Sequence, residues 1–253
     1  MIITSNSNDI IKTVISLKQK KNRDNLSLFI VEGYKQVSEI PQNWKTKFIV
    51  STEKYKEINK NGFIVSERLF DKISCTKTPQ GILAVVEKKK YDIEKVLSDN
   101  NGIFVVCDNV QDPGNVGTII RTAESYSCKG IFLSKTCADV YGDKVVRSSM
   151  GAVFNIPVFQ ECDVVSLIDL FKEKQIKICA LSLDGDKVLS KFKIKNNIAL
   201  IVGNEADGIS KDVLNVVDNK IKIEMFGKTQ SLNAAVACSL AIYEFSKSLN
   251  YDK

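Results

Sequence analysis

The 253-residue chain contains no histidine. That absence excludes Ser-His-Asp and Cys-His catalysis, His-ligated metal sites and any imidazole acid or base. None of the seven cysteines forms a C-x-x-C pair, so a zinc ribbon or a thioredoxin-like redox site is not supported. The odd number and irregular spacing of Cys75, Cys107, Cys128, Cys137, Cys162, Cys179 and Cys238 instead predict reduced, mostly buried thiols, as in a cytoplasmic protein. No apolar run approaches the roughly 18 residues of a helical membrane span. The opening MIITSNSNDIIK lacks the basic-then-apolar pattern of a secretory signal. Arginine is scarce, with only Arg23, Arg68, Arg121 and Arg147.

What is present reads as ordinary globular protein, 44% hydrophobic and 26% charged, of a size for one large domain or two small ones. The net charge of +6 is unevenly placed. Residues 1–95 carry 18 Lys+Arg against 11 Asp+Glu, while the remainder carries 18 against 19. A basic first third suggests a part that meets a polyanion, although scattered lysine also serves plain solubility.

Apolar spacing predicts a helix over 8–17, then a basic loop, KQKKNRD, and a strand over 28–31. A helix over 32–40 and strands over 47–51, 62–65 and 81–86 follow. The charged stretch EKKKYDIEK at 87–95 reads as a linker. Beyond it, strands over 103–108, 130–133, 176–183, 198–202 and 220–225 alternate with helices over 116–127, 144–150, 164–173 and 231–249. This rhythm predicts a mostly parallel sheet covered on both faces.

Loops after the apolar strands carry the candidate chemistry. CDNVQDPGNVGTIIRTAE (107–124) follows one strand and opens a helix, with Gly114 and Gly117 spaced as G-x-x-G rather than as a dinucleotide fingerprint. Arg121 lies four residues after Gly117, where a functional role and a surface ion pair are equal readings. LIVGNEADGIS (200–210) has the outline of a phosphate loop, but Ile209 stands where its lysine must be. Two such loops fit the rule that open α/β sheets bind ligands beyond their strand ends. In IEMFGKTQSLNAAVACSLAIYEF (223–245), Ser231 or Asn233 can cap a helix with a small-residue face.

Together these loops resemble the SpoU (TrmH-type) RNA ribose 2′-O-methyltransferases of the SPOUT class. The family's N-x-G-x-x-x-R-x-A is met by Asn115, Gly117, Arg121 and Ala123. Its G-x-E-x-x-G is met by Gly203, Glu205 and Gly208, with Asn204 also typical. Its S-L-N is met by Ser231, Leu232 and Asn233, with Gln230 where glutamate is common. KVVRSSMGAVFNIPV at 144–158 also looks like the family. The first third is similar to the family's L30e-like RNA-binding extension.

The resemblance implies an L30e-like α/β substrate-binding domain over 1–92 and, over 93–253, a parallel-sheet α/β methyltransferase domain with a trefoil knot. It implies S-adenosylmethionine as cofactor, no metal, a homodimer, and ribosomal RNA, above all 23S, ahead of transfer RNA. Gly203, Ile223 and Leu232 match the cofactor-binding positions. Arg121, with Asn115, Glu205, Ser231 and Asn233, matches the catalytic set, Arg121 serving either to activate the ribose hydroxyl or to hold a phosphate. Lys12, Lys18, Lys20, Lys21 and Arg23 are candidate phosphate contacts. Two other readings compete: a catalytically silent RNA-binding dimer, and a nucleotide-binding oxidoreductase disfavoured by the missing fingerprint.

Overall fold

A computed structural model describes residues 2–59, 61–98 and 102–249. The elements run β1 (Ile2–Ile3), α1 (Asp9–Ser16), α2 (Lys20–Leu26), β2 (Leu28–Glu32), α3 (Tyr34–Ser38), β3 (Thr46–Ser51), β4 (Phe63–Val65), α4 (Glu67–Ile73) and β5 (Ile82–Glu87). They continue with α5 (Ile93–Leu97), β6 (Ile103–Cys107), α6 (Pro113–Ser125), β7 (Gly130–Ser134), α7 (Asp143–Ser148), β8 (Val158–Cys162) and α8 (Val164–Glu173). The last are β9 (Lys177–Leu181), β10 (Lys187–Val188), β11 (Ile198–Val202), α9 (Lys211–Val216), β12 (Asn219–Lys222) and α10 (Ala234–Ser248). They pack as two compact units, one of Met1–Lys90 with Asp139–Phe154 and one of Tyr91–Ala138 with Asn155–Lys253.

The first unit is built on a sheet of order β1-β4-β3-β5-β2, in which β5 runs antiparallel to both its neighbours. All five residues of β2 are buried, so both its faces are covered. Leu28 and Ile30 pack with Ile11, Val14 and Leu17 of α1 and with Leu69, Phe70 and Ile73 of α4. Phe29, on the opposite face, meets Tyr141 at 4.7 Å, Trp44 at 6.1 Å and Phe154 at 6.2 Å between ring centroids. Trp44 Nε1 donates to the Phe154 carbonyl at 2.9 Å, which satisfies the indole as it is buried. The segment 139–154, distant in sequence, is thus part of this unit's core.

The basic stretch read as a loop contains α2. Polar residues dominate this helix, and a tertiary anchor holds it instead of an apolar stripe. Arg23 is 7% exposed. Its Nη1 donates to the Leu17 and Lys18 carbonyls, at 2.7 and 2.9 Å, which are orphan acceptors at the end of α1. Its Nε and Nη2 donate to Asp139 Oδ2 at 2.9 and 2.5 Å. Ser27, at φ +53°, then closes α2 in the left-handed conformation.

The second unit is a seven-stranded sheet of order β10-β12-β9-β11-β6-β7-β8, parallel at every pairing. The parallel sheet expected from the β–α rhythm is therefore observed. One face buries Phe104, Phe132, Ile178 and Ile201 against Leu167, Ile168 and Phe171 of α8. The other carries α6 and α10, which pack on each other, with α10 also on β6 and β11. The chain leaves β12 near one edge and comes back past β9 to lay α10 over the middle of the sheet.

The register places the loops. Val202 pairs with Cys107, so β6 and β11 end side by side and their loops emerge together. Ala180 pairs with Ile201 and Leu181 with Ile221, so the loops after β9 and β12 open at the same edge.

Candidate active site

The β6–α6 loop is shaped by its own carboxylates. Asp108 is buried, and its Oδ2 accepts from the Ser210 N–H at 2.8 Å, tying this loop to the end of the β11 loop. Asp112 caps α6 by accepting from the Asn115 N–H at 2.8 Å, with Pro113 next in the chain. Asn115 is thereby set at the helix start and is 9% exposed.

The β11–α9 loop turns back on itself. Asn204 N–H donates to Gly208 O at 2.9 Å, and Gly208 N–H to Asn204 O at 3.1 Å. A Cβ on Gly203 would lie 2.2 Å from the Gly208 carbonyl carbon, so the turn closes only around glycine. Asn204 Nδ2 donates to Asn109 O at 2.9 Å, a second tie between the two loops.

Three motif side chains meet across these loops. Asn115 Nδ2 donates to Glu205 Oε1 at 2.5 Å. Asn233 Nδ2 donates to Asn115 Oδ1 at 2.9 Å. Asn233 Oδ1 accepts from the Ala235 and Val236 N–H groups at 2.9 and 3.2 Å, capping α10. The polarity is forced along the chain. A carboxylate only accepts, so Asn115 presents its NH2 to Glu205 and its oxygen to Asn233, which leaves the Asn233 oxygen for the helix. Of the two capping candidates, Asn233 is the cap. Ser231 is exposed two residues earlier.

Arg121 stands apart from this web. It lies six residues after Asn115 on α6, roughly 240° around a helix that turns 100° per residue. Its side chain is exposed on the face shared with Thr118 and Ser125, and it has no hydrogen-bond or ion-pair partner among the described residues. Beside it, Thr122 Oγ1 and Ser239 Oγ are 3.0 Å apart, joining α6 to α10. On α10, Val236, Leu240 and Tyr243 are 47, 41 and 46% exposed, and Tyr126 meets Tyr243 at 6.0 Å. An apolar stripe therefore borders the Arg121 face.

Gly203 is buried at the end of β11, and Ile223 and Leu232 are half-buried at the two ends of the segment that follows β12. Residues 223–232 belong to no helix or strand, and their backbone N–H and C=O groups pair with nothing among the described residues. No atom lies within 4 Å of a Cβ built on Gly208 or Gly227. This edge of the sheet thus offers a run of free backbone donors and acceptors flanked by half-buried Ile223, Met225 and Leu232.

Burial disfavours the thiolate at all seven cysteines. Burial pushes Cys179 and Cys238 up to about 12 and Cys75 and Cys162 up to about 11, and raises Cys107, Cys128 and Cys137 as well. Among the described residues no group of three or more Cys, Asp or Glu stands where it could hold a metal ion. No described helix is long and apolar enough to cross a membrane.

Of the candidate phosphate contacts, Arg23 is spent on Asp139 and two carbonyls and has no free face for a phosphate. Lys18 Nζ donates to the Lys72 and Ser74 carbonyls at 3.2 and 2.8 Å. Lys12 and Lys20 pair with Asp9 and Asp24 on their own helices. Lys21 is exposed with no partner among the described residues. The sequence reading missed Asp108 and Asp112. Their signal was an acidic residue directly after a buried strand and another directly before a Pro-Gly helix start.

Residues 102–243 match the model of the SpoU rRNA Methylase family, and residues 8–84 that of the MRM3-like substrate binding domain. The chain is 31% identical over 250 residues to the 23S rRNA (guanosine(2553)-2′-O)-methyltransferase RlmP of Bacillus subtilis (strain 168), covering 95% of this chain and 97% of that one. It is similar to the AdoMet-bound rRNA methyltransferase from Sinorhizobium meliloti, at 28% identity and a TM-score of 0.83, over 96% of each chain. The SpoU methyltransferase AviRb from Streptomyces viridochromogenes in complex with AdoMet, at 23% identity, shares the fold, with a TM-score of 0.86 over 97% of this chain and 100% of that one.

Proposed function

This chain belongs to the SpoU rRNA methylase family, and we propose that it transfers a methyl group from S-adenosylmethionine to a ribose 2′-oxygen of 23S ribosomal RNA. The observation that carries this reading is the Glu205–Asn115–Asn233 web, which holds the three motif loops together at the ends of the parallel strands. A relative alike over nearly its whole length, and named for this reaction on 23S rRNA, supports the substrate class. The residues present suit the cofactor. An adenosine and a methionine carry many hydrogen-bonding atoms, and the free backbone of 223–232, open at Gly227, is matched to them. Ile223, Met225 and Leu232 offer the apolar contact a purine needs.

When bound, the cofactor supplies an electrophilic methyl group on a sulfonium. The chain's task is to hold a ribose hydroxyl in line with it. Asn115 and Glu205 fix the loops that flank the strand ends, and the rigid turn at Gly203 keeps their spacing. The Arg121 guanidinium carries only N–H donors and no acceptor. It therefore donates, gripping a phosphate of the substrate and offsetting charge that develops on the attacking oxygen as the hydroxyl proton passes to water. Because Arg121 faces away from its own web, it completes the site of a second copy. The stripe of Val236, Leu240 and Tyr243 beside it is the proposed homodimer face.

The test uses radiolabelled S-adenosylmethionine with 23S rRNA and transfer RNA that lack the modification. Expected is alkali-resistant label at one ribose of the 23S rRNA, and a loss of about 100-fold or more in Arg121→Ala with cofactor affinity and melting unchanged. Label in transfer RNA alone overturns the substrate, and near wild-type transfer by Arg121→Ala overturns the role of that residue.

A further inference from the structure

We propose that Tyr34 and Tyr55 form a stacking platform for one unpaired nucleotide of the RNA substrate. This deepens the RNA reading above and rests on it. The two rings are stacked, 5.7 Å between centroids and 13° between planes, at the surface of the first unit. Tyr34 is 45% exposed, so a residue stacked on one neighbouring ring still stands partly in water. Lys54 Nζ lies 5.1 Å from the centre of the Tyr55 ring, which sets a cation beside the stack for a phosphate. Any base offers a π face, so such a surface accepts unpaired nucleotides with little regard to sequence, and the +7 balance of residues 1–95 suits a polyanion.

The loops around the two tyrosines are held to one another by specific hydrogen bonds. Gly33, at φ +107°, makes the turn into Tyr34, whose N–H donates to Gln80 Oε1 at 2.8 Å. Gly81, at φ +92°, accepts from the Thr52 N–H at 2.8 Å, and a Cβ there would come within 2.7 Å of Thr52 Oγ1. The other end of the 74–81 loop is held by the buried Glu32 carboxylate. It accepts from Ser74 Oγ at 2.5 Å, Thr76 Oγ1 at 3.0 Å and the Cys75 N–H at 2.7 Å. Lys18 binds the Ser74 carbonyl from the helical side. The loops bearing Tyr34, Tyr55 and the exposed Lys77 are thus fixed to one another before any ligand arrives. A preorganised aromatic surface loses little entropy on binding.

The experiment measures affinity of the full chain for unmodified 23S rRNA, and quenching of a single-stranded oligonucleotide carrying 2-aminopurine. S-adenosylmethionine affinity of each variant serves as the control. Tyr34→Ala is expected to weaken RNA binding by roughly 5- to 150-fold and to abolish the quenching. Tyr34→Phe, which keeps the ring, is expected to stay within about twofold of wild type, and Tyr34→Leu, which keeps apolar bulk without a ring, to behave like Tyr34→Ala. Unchanged RNA affinity in Tyr34→Ala, with wild-type binding intact, overturns the platform, while the RNA reading stands. Failure of the wild-type chain to bind RNA while it still binds S-adenosylmethionine overturns the RNA reading and the platform with it.

Discussion

Replacing Asn115 with Asp tests whether the polar web holds the motif loops. The change is nearly isosteric, so packing is preserved. It removes the Nδ2 donor and sets a second carboxylate where a donor stood 2.5 Å from Glu205. The lost charge-assisted bond is worth about 1.5–3 kcal/mol. Two carboxylates at about 4 Å repel by roughly 4 kcal/mol at an effective dielectric near 20, but Glu205 is exposed and turns into water, which leaves about 1 kcal/mol of that. The bond from Asn233 survives, because its new acceptor is also an oxygen. The net loss is about 2–4 kcal/mol at neutral pH. Changing Glu205→Gln in the same chain reverses the polarity, since the glutamine NH2 then donates to the new aspartate. The double variant is expected to recover about 2 kcal/mol of the loss. Urea unfolding of the four chains gives the coupling energy, read on the transition that shifts when S-adenosylmethionine is added. Additivity within about 0.5 kcal/mol would refute the bond between these side chains.

Two further outcomes follow from buried groups. Arg23→Ala is expected to cost about 3–5 kcal/mol, because Asp139, with a side chain only 10% exposed, is left in the interior without its partner. A melting temperature within a degree or two of wild type would place Arg23 at the surface after all. The raised thiols give a pH dependence. Folded Cys179 and Cys238 hold their protons to about 12, against an ordinary value of 9.0, so the unfolded chain binds fewer protons above that value. Their contribution to stability is fully present below about pH 9 and declines toward pH 12 by about 1.4 kcal/mol per unit for each thiol. Cys238→Ala should remove one such increment from the alkaline slope, and an unaltered slope would show that this thiol ionises freely in the folded chain.

The elements that were legible in the sequence are those whose partners lie in the local pattern. Ile198–Val202 is apolar throughout because both its neighbours and both its faces are protein. Val164–Glu173 shows a helical stripe because one face meets the sheet. The exceptions owe their structure to distant residues. Lys20–Leu26 is helical through an arginine whose counter-ion stands at Asp139. Val158–Cys162 is a half-exposed edge strand with an irregular register, and nothing in its composition marks it. Within the site, the family resemblance put Asn115, Glu205 and Asn233 in one set with Ser231 and Arg121; hydrogen bonds join only the first three, and their polarity needed coordinates. That Arg121 looks elsewhere follows from its six-residue offset on a helix, a deduction open to anyone who counts around the turn.

The passage of the chain through the first unit a second time, at 139–154, bears on how such proteins can be taken apart. No single cut separates the two units, because the polypeptide runs from one to the other near positions 90, 138 and 154. A graft that moved residues 1–90 alone onto another scaffold would leave behind Tyr141 and Phe154, which cover Phe29 and Trp44, and the carboxylate that neutralises Arg23. Recombination that preserves this core must carry the short insert along with the beginning of the chain. The unit of inheritance here is two stretches of sequence, bound to travel together by the side chains they share.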